Sequence, residues 1–573
     1  MTVLWNEPHD HPADFERFHA YCDNDVRTEA LADRRMVPLS TDEQELWVID
    51  QRINDRGIRI DRTSARAALA LADKAKLLLD REMRLATGDY VSACSQPGKL
   101  VEWVAAQGVE MDSAAKAEIE ELLELEDLPS HVRRAVELRQ EAAKTSVSKL
   151  GSFLDRCSDD GRIRGAFLFL AAGTGRWSSV GAQLHNLPRP RKLFGDARLD
   201  QRALFTAIRQ ADPGWLKTLY GDQLGRPLHL ISDAIRGFIW AAPGHDLLVA
   251  DYSGIEGAVA AWFAGEDWKV RAMFDLIADP KLPDLYRRAA AGIFNVTTSD
   301  IPKSDVRRQV GKVSELSLQY QGGVGAFRSM ARNYSMKIDP VFDPVWASAG
   351  AERRDKAEKR YEECLARNEV TTQQLTRREW LAAELVKVGW RSTHPAIVLS
   401  WKLLEEAIRE AIETPGRQVA VLKVTYLVAR GFLWCQLPSG RCLAYGKPQI
   451  RDVEVPWADK TVAPAAREKK PTATALGVNS VTKKWERFAL YGGLAFENIV
   501  QAIARDLLAN GIRKSEAAGY PVIGHVHDEI LTEVPRGRGD VTEFEQLICE
   551  LPPWADGLPL TASGWRGKRY RKD

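Results

Sequence analysis

Two apolar runs, far apart in the chain, each stop at an aspartate, and this pairing constrains the fold more than any other feature. HDLLVADYS, entered through Pro243-Gly244, has four successive apolar residues and ends at Asp251. VIGHVHDEILTEV carries Asp528 and Glu529 at a polar tip between two short apolar runs. Continuous apolar runs of this length suit strands buried on both faces, which puts each carboxylate at a strand tip. If the two strands lie side by side, the tips meet. Facing carboxylates repel unless a cation sits between them. A hard divalent ion such as magnesium suits that place, because it keeps waters and takes one or two carboxylates plus substrate phosphates. Two such ions can clamp the attacking and leaving oxygens of a phosphoryl transfer. Aspartate is also a common turn residue, so neither position alone is specific.

A third segment narrows the reading. In SDVRRQVGKVSELSLQYQGG, Arg308, Lys312, Leu316 and Tyr320 recur every four residues and so share one helix face. Like charges at that spacing weaken a free helix, which argues that an anion neutralises them. An arginine fork beside a lysine point charge suits a polyphosphate. Gly322-Gly323 ends the helix behind Tyr320.

Around these motifs, Ser40 to about Lys149 has apolar residues at helical spacing and reads as an antiparallel helical arm. GRIRGAFLFLAAGTGRWSS reads as short strands with glycine turns, and 265–415 is again helical and richly charged. VLKVTYLVARGFLWCQLPSGRCLAYGKPQI is hairpin-like. A polar, lysine-bearing loop is expected around 457–484 and a helix at NIVQAIARDLLANGI. The fold class is α+β, helical arms around a central sheet. Eighty basic against 79 acidic residues give +1, so net charge does not argue for or against a nucleic-acid partner. There is no apolar run of about 18 residues and no secretory start. Seven scattered cysteines include no C-x-x-C pair, which suits reduced thiols in a cytoplasmic protein. His9, His11, His19, Cys22, Asp23 and Asp25 fit no familiar metal-ligand spacing.

DYSGIE (251–256), the arginine–lysine–tyrosine pattern from Arg308 to Tyr320 and HDE (527–529) together resemble the motifs of the family A DNA polymerases, the group of bacterial repair polymerases and many phage replicases. They match, in order, its first palm motif, its fingers helix and its last palm motif. TGRWSS and QLHNLP (174–188) resemble the family's primer-contacting segment, and WCQLPSGRCLAY the hairpin that closes the fingers. The ending, through GWRGKRYRK, looks like the phage branch. The resemblance covers about residues 40–573. It implies a polymerase right hand with a palm β-sheet, helical fingers and a helical thumb. The implied divisions are a thumb at 41–150, palm at 151–264, fingers at 265–455 and the rest of the palm at 456–573.

The same resemblance implies roles for single residues. Asp251 and Asp528 would hold two magnesium ions, with manganese able to stand in, and Glu529 would support that catalytic site. Arg308, Lys312, Leu316, Tyr320, Glu256 and Tyr286 would receive the deoxynucleoside triphosphate, Glu256 blocking a 2′-hydroxyl. Arg176, Gln501, His527 and Asn186, with His185 a weaker candidate, would touch the primer–template. The implied activity is DNA-directed DNA synthesis in the bacterial cytoplasm, in phage or bacterial replication. A silent primer–template-binding replisome component and a single-subunit RNA polymerase are the alternatives.

Some residues depart from the family's pattern. Leu316 stands where well-known members carry Phe or Tyr, Tyr286 where bacterial members have a histidine, and Gly257-Ala258 replaces Leu-Arg. Tyr21 and Asp25 resemble the last motif of the 3′→5′ exonuclease, and 1–40 reads as a remnant of that domain's end. The expectation is a chain that does not proofread, with room for a separate exonuclease or processivity protein as partner.

Overall fold

The structure, a computed structural model, describes residues 7–572 apart from 145, 189, 191–200, 456, 460, 480 and 481. Two units separate, Met1–Gln51 and Arg52–Asp573. In the first, the helix Pro12–Asp33 opens on a proline, which suits a first turn that needs no N–H donor. Its polar sequence leaves it without an apolar stripe, and none of its side chains is buried. The helix Thr41–Arg56 begins in this unit.

The second unit starts as the helical arm. Asp61 caps the helix Arg62–Thr87, its carboxylate accepting from Ser64 N at 3.0 Å. Ala65, Ala68, Leu71, Ala72, Ala75 and Leu79 form the buried stripe, small enough for Ser130–Ala142 and Ser146–Asp155 to approach closely. Gln201–Arg209 and Pro227–Ala234 pack on the same helix. Sequence reading gave no helices in this stretch, because eight or nine residues are too few for periodicity to stand out. Two small ribbons follow the arm: β1 (Ile58–Arg59) pairs with β2 (Arg162–Ile163), and β3 (Phe167–Leu168) with β4 (Ser178–Ser179).

The apolar run ending at Asp251 forms β5 (His245–Tyr252). A second sheet of six antiparallel strands then runs β6 (Val419–Val421), β7 (Val424–Ala429), β8 (Phe432–Gln436), β9 (Cys442–Glu454), β10 (Lys469–Val478) and β11 (Trp485–Ala489), each beside the next. The loop expected around 457–484 is therefore corrected, since β10 occupies Lys469–Val478 and pairs on both sides. Its alternation of Thr and Ala reads as polar, yet Thr472 to Ala475 are buried once neighbours flank them. The sheet continues across position 455. Last come β12 (Val522–Val526), β13 (Glu529–Pro535) and β14 (Ala562–Gly567), which join β5 in the order β12-β13-β5-β14.

This four-stranded sheet is backed by the helices Gly492–Ala517 and Val541–Cys549. Gly511 makes that packing possible, because a Cβ there would lie 2.3 Å from the Tyr252 hydroxyl. Tyr252 donates instead to the Ile548 carbonyl at 2.7 Å. Between β5 and β6 lies a helical body, from Ile255–Ala264 to Pro395–Glu413. Among the described residues no helix is long and apolar enough to cross a membrane.

Candidate active site

The register sets Asp251 directly opposite Glu529 on one side and Ser563 on the other. Val526 pairs with Glu529, so His527 and Asp528 form a two-residue hairpin turn. His527 takes the left-handed conformation that such turns require (φ 59°). Asp528 is thereby placed beside Asp251 at the end of the β13 and β5 strands. Burial, then the Asp251 charge, pushes the Asp528 carboxyl up to about 7. Asp251 Oδ2 accepts from Lys572 Nζ at 2.6 Å, while its Oδ1 is buried with no hydrogen-bond partner. A buried, unpartnered carboxylate oxygen beside a second carboxylate is what a hard cation would satisfy. Among the described residues no group of three or more His, Cys, Asp or Glu side chains forms a complete protein cage. The pair would need waters and phosphates to complete a shell.

Glu529, 1% exposed, accepts from the Tyr570 hydroxyl at 2.5 Å and lies 3.6 Å from Lys572. Arg236 in turn donates to the Tyr570 oxygen at 2.6 Å. Burial raises the Glu529 carboxyl's pKa, against the pull of Lys572. The cations beside the carboxylates thus come from Arg236 and from the chain's basic last residues. Sequence reading missed Arg236, Tyr570 and Lys572 in this role; the run GKRYRK signalled charge without a partner.

The cationic helix is Val306–Leu318, capped by Asp305. Arg308 Nε donates to Asp284 Oδ2 at 2.8 Å, and the Arg308 and Lys312 charges stand 5.6 and 5.9 Å from the centre of the Tyr286 ring. Lys312 also lies 4.4 Å from the Tyr334 ring centre. Just past the helix, the Tyr320 hydroxyl donates to Glu256 Oε2 at 2.7 Å, and Arg176 holds the other oxygen at 2.5 Å. Glu256, Tyr286, Leu316, Tyr320 and Asp528 line one cleft of about 640 Å³. Arg308 and Lys312 are not in its wall but adjoin it through Tyr286.

In the wall of the same cleft is a group, Glu315 with Lys269, that sequence reading did not find. Glu315, one residue before Leu316, pairs with Lys269 and accepts from Trp390 Nε1 at 2.9 Å. His394 Nε2 lies 2.9 Å from the same carboxylate oxygen. Burial disfavours the Glu315 charge, but Lys269 and His394 hold its carboxyl well below the usual carboxylate range. Lys269 is 1% and His394 0% exposed, so neither side chain has water as an alternative partner. Nothing in the local pattern marks a partner so remote in sequence.

Of the expected primer–template residues, Arg176 and His527 lie by Asp528 around a small cavity with His185. The His527 ring donates to the His185 carbonyl at 2.9 Å and His185 to the His525 carbonyl at 3.0 Å. Burial, then the nearby His527, lowers the His185 pKa to about 4. Trp177 is 8% exposed, with Arg505 over its ring at 4.8 Å, and belongs to the core. Gln501 donates to Glu497 at 3.0 Å on the helix Gly492–Ala517. Asn186 is exposed in the turn Leu184–Asn186. Tyr21 and Asp25 lie one helical turn apart in the first unit, both exposed.

An antiparallel sheet bringing two half-buried aspartates together beside a cleft, with a cationic helix adjoining that cleft, is an arrangement of the polymerase class of α+β proteins. In fold, the chain is similar to the POL domain of Pol1 from M. smegmatis, solved in complex with DNA primer-template and dNTP. The TM-score is 0.51 at 15% identity, over 90% of this chain and 68% of that one. In sequence, it is 34% identical over 573 residues to the DNA polymerase of Bacillus phage SP02, covering 99% of this chain and 77% of the relative. No protein-family model matches. The chain belongs to the DNA polymerase family of the phage SP02 enzyme.

Proposed function

We propose that the chain is a family A DNA-directed DNA polymerase that extends a primer 3′-hydroxyl with deoxynucleotides during phage or bacterial replication in the bacterial cytoplasm. The observation that carries this reading is the neighbouring pair Asp251 and Asp528, with the Asp251 Oδ1 left without a hydrogen-bond partner. Asp251 and Asp528 would hold magnesium. Bound there, divalent ions supply Lewis-acid activation of the 3′-hydroxyl and charge neutralisation on the phosphates.

The chain's own residues account for the rest. Arg308 and Lys312 neutralise the triphosphate and the departing pyrophosphate. The Tyr286 ring orients both cations, supplying a face rather than a charge where a histidine could have carried a proton. Tyr320 stacks at the nascent pair when it leaves Glu256. Glu256, held by Arg176, occupies the space of a 2′-hydroxyl and excludes ribonucleotides. Glu529, through Tyr570 and Lys572, fixes the strand ends at which Asp251 stands. His527, Arg176, Gln501 and Asn186 border the primer terminus. We assign thumb, palm and fingers as the sequence divides them, with β6–β11 a sheet at the fingers–palm junction. Tyr21 and Asp25 stand exposed on the helix Pro12–Asp33; that this chain does not proofread is part of the proposal and is tested by primer shortening.

Primer extension on a recessed duplex with magnesium tests this. Wild type should extend with deoxynucleotides and poorly with ribonucleotides. Asp528→Asn should lose at least about 1,000-fold in rate, on the scale of removing one electrostatic stabiliser of the transition state. Glu256→Ala should admit ribonucleotides. Tight DNA binding without extension would overturn the reading in favour of a silent scaffold, and primer shortening without nucleotides would overturn the proofreading assignment.

A further inference from the structure

The six-stranded sheet has two unlike faces. Toward the helix Pro395–Glu413 it buries Tyr426, Leu433, Cys435, Leu443 and Ala475. The other face is open and aromatic. The register aligns Phe432, Gly446, Leu476 and Arg487 across β8, β9, β10 and β11, so Trp434 and Trp485, each two residues along its strand, share that face. Phe432 is 41% and Trp485 65% exposed. A Cβ on Gly446 would lie 3.8 Å from the Phe432 ring and 3.9 Å from the Trp485 ring, so the two aromatics flank a bare backbone floor. Trp434 sits 5.4 Å from Phe432, centre to centre.

Two arginines accompany the rings. Arg451 pairs with Thr472 and so points to the same face as Leu476 and Arg487. Arg487 donates to the Lys447 carbonyl and the Thr474 hydroxyl at 3.0 Å each, and Arg451 to Gln449 at 2.9 Å. Neither arginine has an ion-pair partner among the described residues, and burial, then the Arg451 charge, works against the Arg487 proton. An apolar protein partner would have to desolvate two mutually repelling cations. A single-stranded polynucleotide meets both features at once, since its bases stack on exposed rings and its phosphates neutralise the arginines.

We propose that this face binds the unpaired template strand, bases on Phe432, Trp434 and Trp485 and phosphates on Arg451 and Arg487. The proposal rests on the polymerase reading above. The template is favoured because the sheet packs on Pro395–Glu413, and Trp401 of that helix donates to the Gln319 carbonyl at 3.2 Å, beside Tyr320 in the nucleotide cleft. The sheet that carries the platform is thus joined, through its opposite face, to the nucleotide cleft.

Fluorescence anisotropy tests it, comparing a primer–template with about twelve unpaired template nucleotides against one with about two, within the footprint of single-strand binding modules. Wild type should bind the long overhang about tenfold tighter or more. The Phe432→Ala/Trp485→Ala double variant, at two exposed positions, should lose most of that gain and keep its affinity for the short overhang. Arg451→Gln/Arg487→Gln should lose it too and flatten the salt dependence. A displaced-strand flap on the short-overhang duplex should add nothing. Equal wild-type affinity for both overhangs, variants that keep the gain, or a gain from the flap instead would each overturn the proposal, the first of these leaving a protein partner as occupant. Extension of the short-overhang primer by the same preparations separates the two readings. Failure there overturns the polymerase assignment, whereas intact extension without overhang gain overturns only this one.

Discussion

Asp528 links the chemistry to a measurable proton. Its carboxyl titrates near 7 in the folded protein and from an ordinary value of 3.8 otherwise. Between those values the folded state holds the extra proton, so its contribution to stability is complete below about pH 4 and lost as pH rises to about 7. A divalent ion needs both aspartates ionised, so its binding should expel that proton. The melting temperature should therefore rise little with magnesium at pH 5.5 and by several degrees at pH 8. Asp528→Asn should remove both the magnesium gain and most of the pH dependence between 5 and 7. A magnesium gain equal at both pH values would show that the ion binds elsewhere. At this scale, the sequence made Asp251, Asp528, Arg308 and Lys312 visible because each sits at a strand tip or a fixed helical spacing. It hid Lys572 and Tyr570, because a basic chain end looks the same whether it faces solvent or a carboxylate.

At the scale of elements, the cationic helix is held by a charge inside the protein. Glu315 joins Val306–Leu318 to Asp267–Ala278 through Lys269 and to the ends of Arg377–Thr393 and Pro395–Glu413 through Trp390 and His394. Glu315→Ala would leave Lys269 buried and uncompensated, at a cost of about 3–5 kcal/mol. Urea denaturation should show a lowered midpoint of that size. The paired replacement Lys269→Met/Glu315→Leu should recover much of the loss, because removing both charges removes the desolvation penalty as well. A single variant as stable as wild type would mean that water already reaches the pair. Element types were legible where periodicity ran long, as in Arg62–Thr87. They were not legible in β10, whose burial exists only because β9 and β11 flank it.

For the whole molecule, a net charge of +1 means that DNA affinity must come from local cations. If about five phosphates are neutralised, affinity should fall roughly 100- to 1,000-fold between 50 and 200 mM salt. A shallow salt dependence by filter binding would contradict DNA binding through local cations. The sequence by itself determined the α+β class, the two strand-tip aspartates and the helix that carries Arg308 and Lys312 on one face, because strand and helix periods are local and a carboxylate at the end of an apolar run has few places to go. Only the tertiary structure decided which strands are neighbours and which cations stand beside the aspartates. It also decided that Glu315 is paired inside the protein and that one face of the six-stranded sheet stays open. Those facts depend on pairing between residues hundreds of positions apart, and side-chain spacing along one segment carries no record of what another segment brings to it.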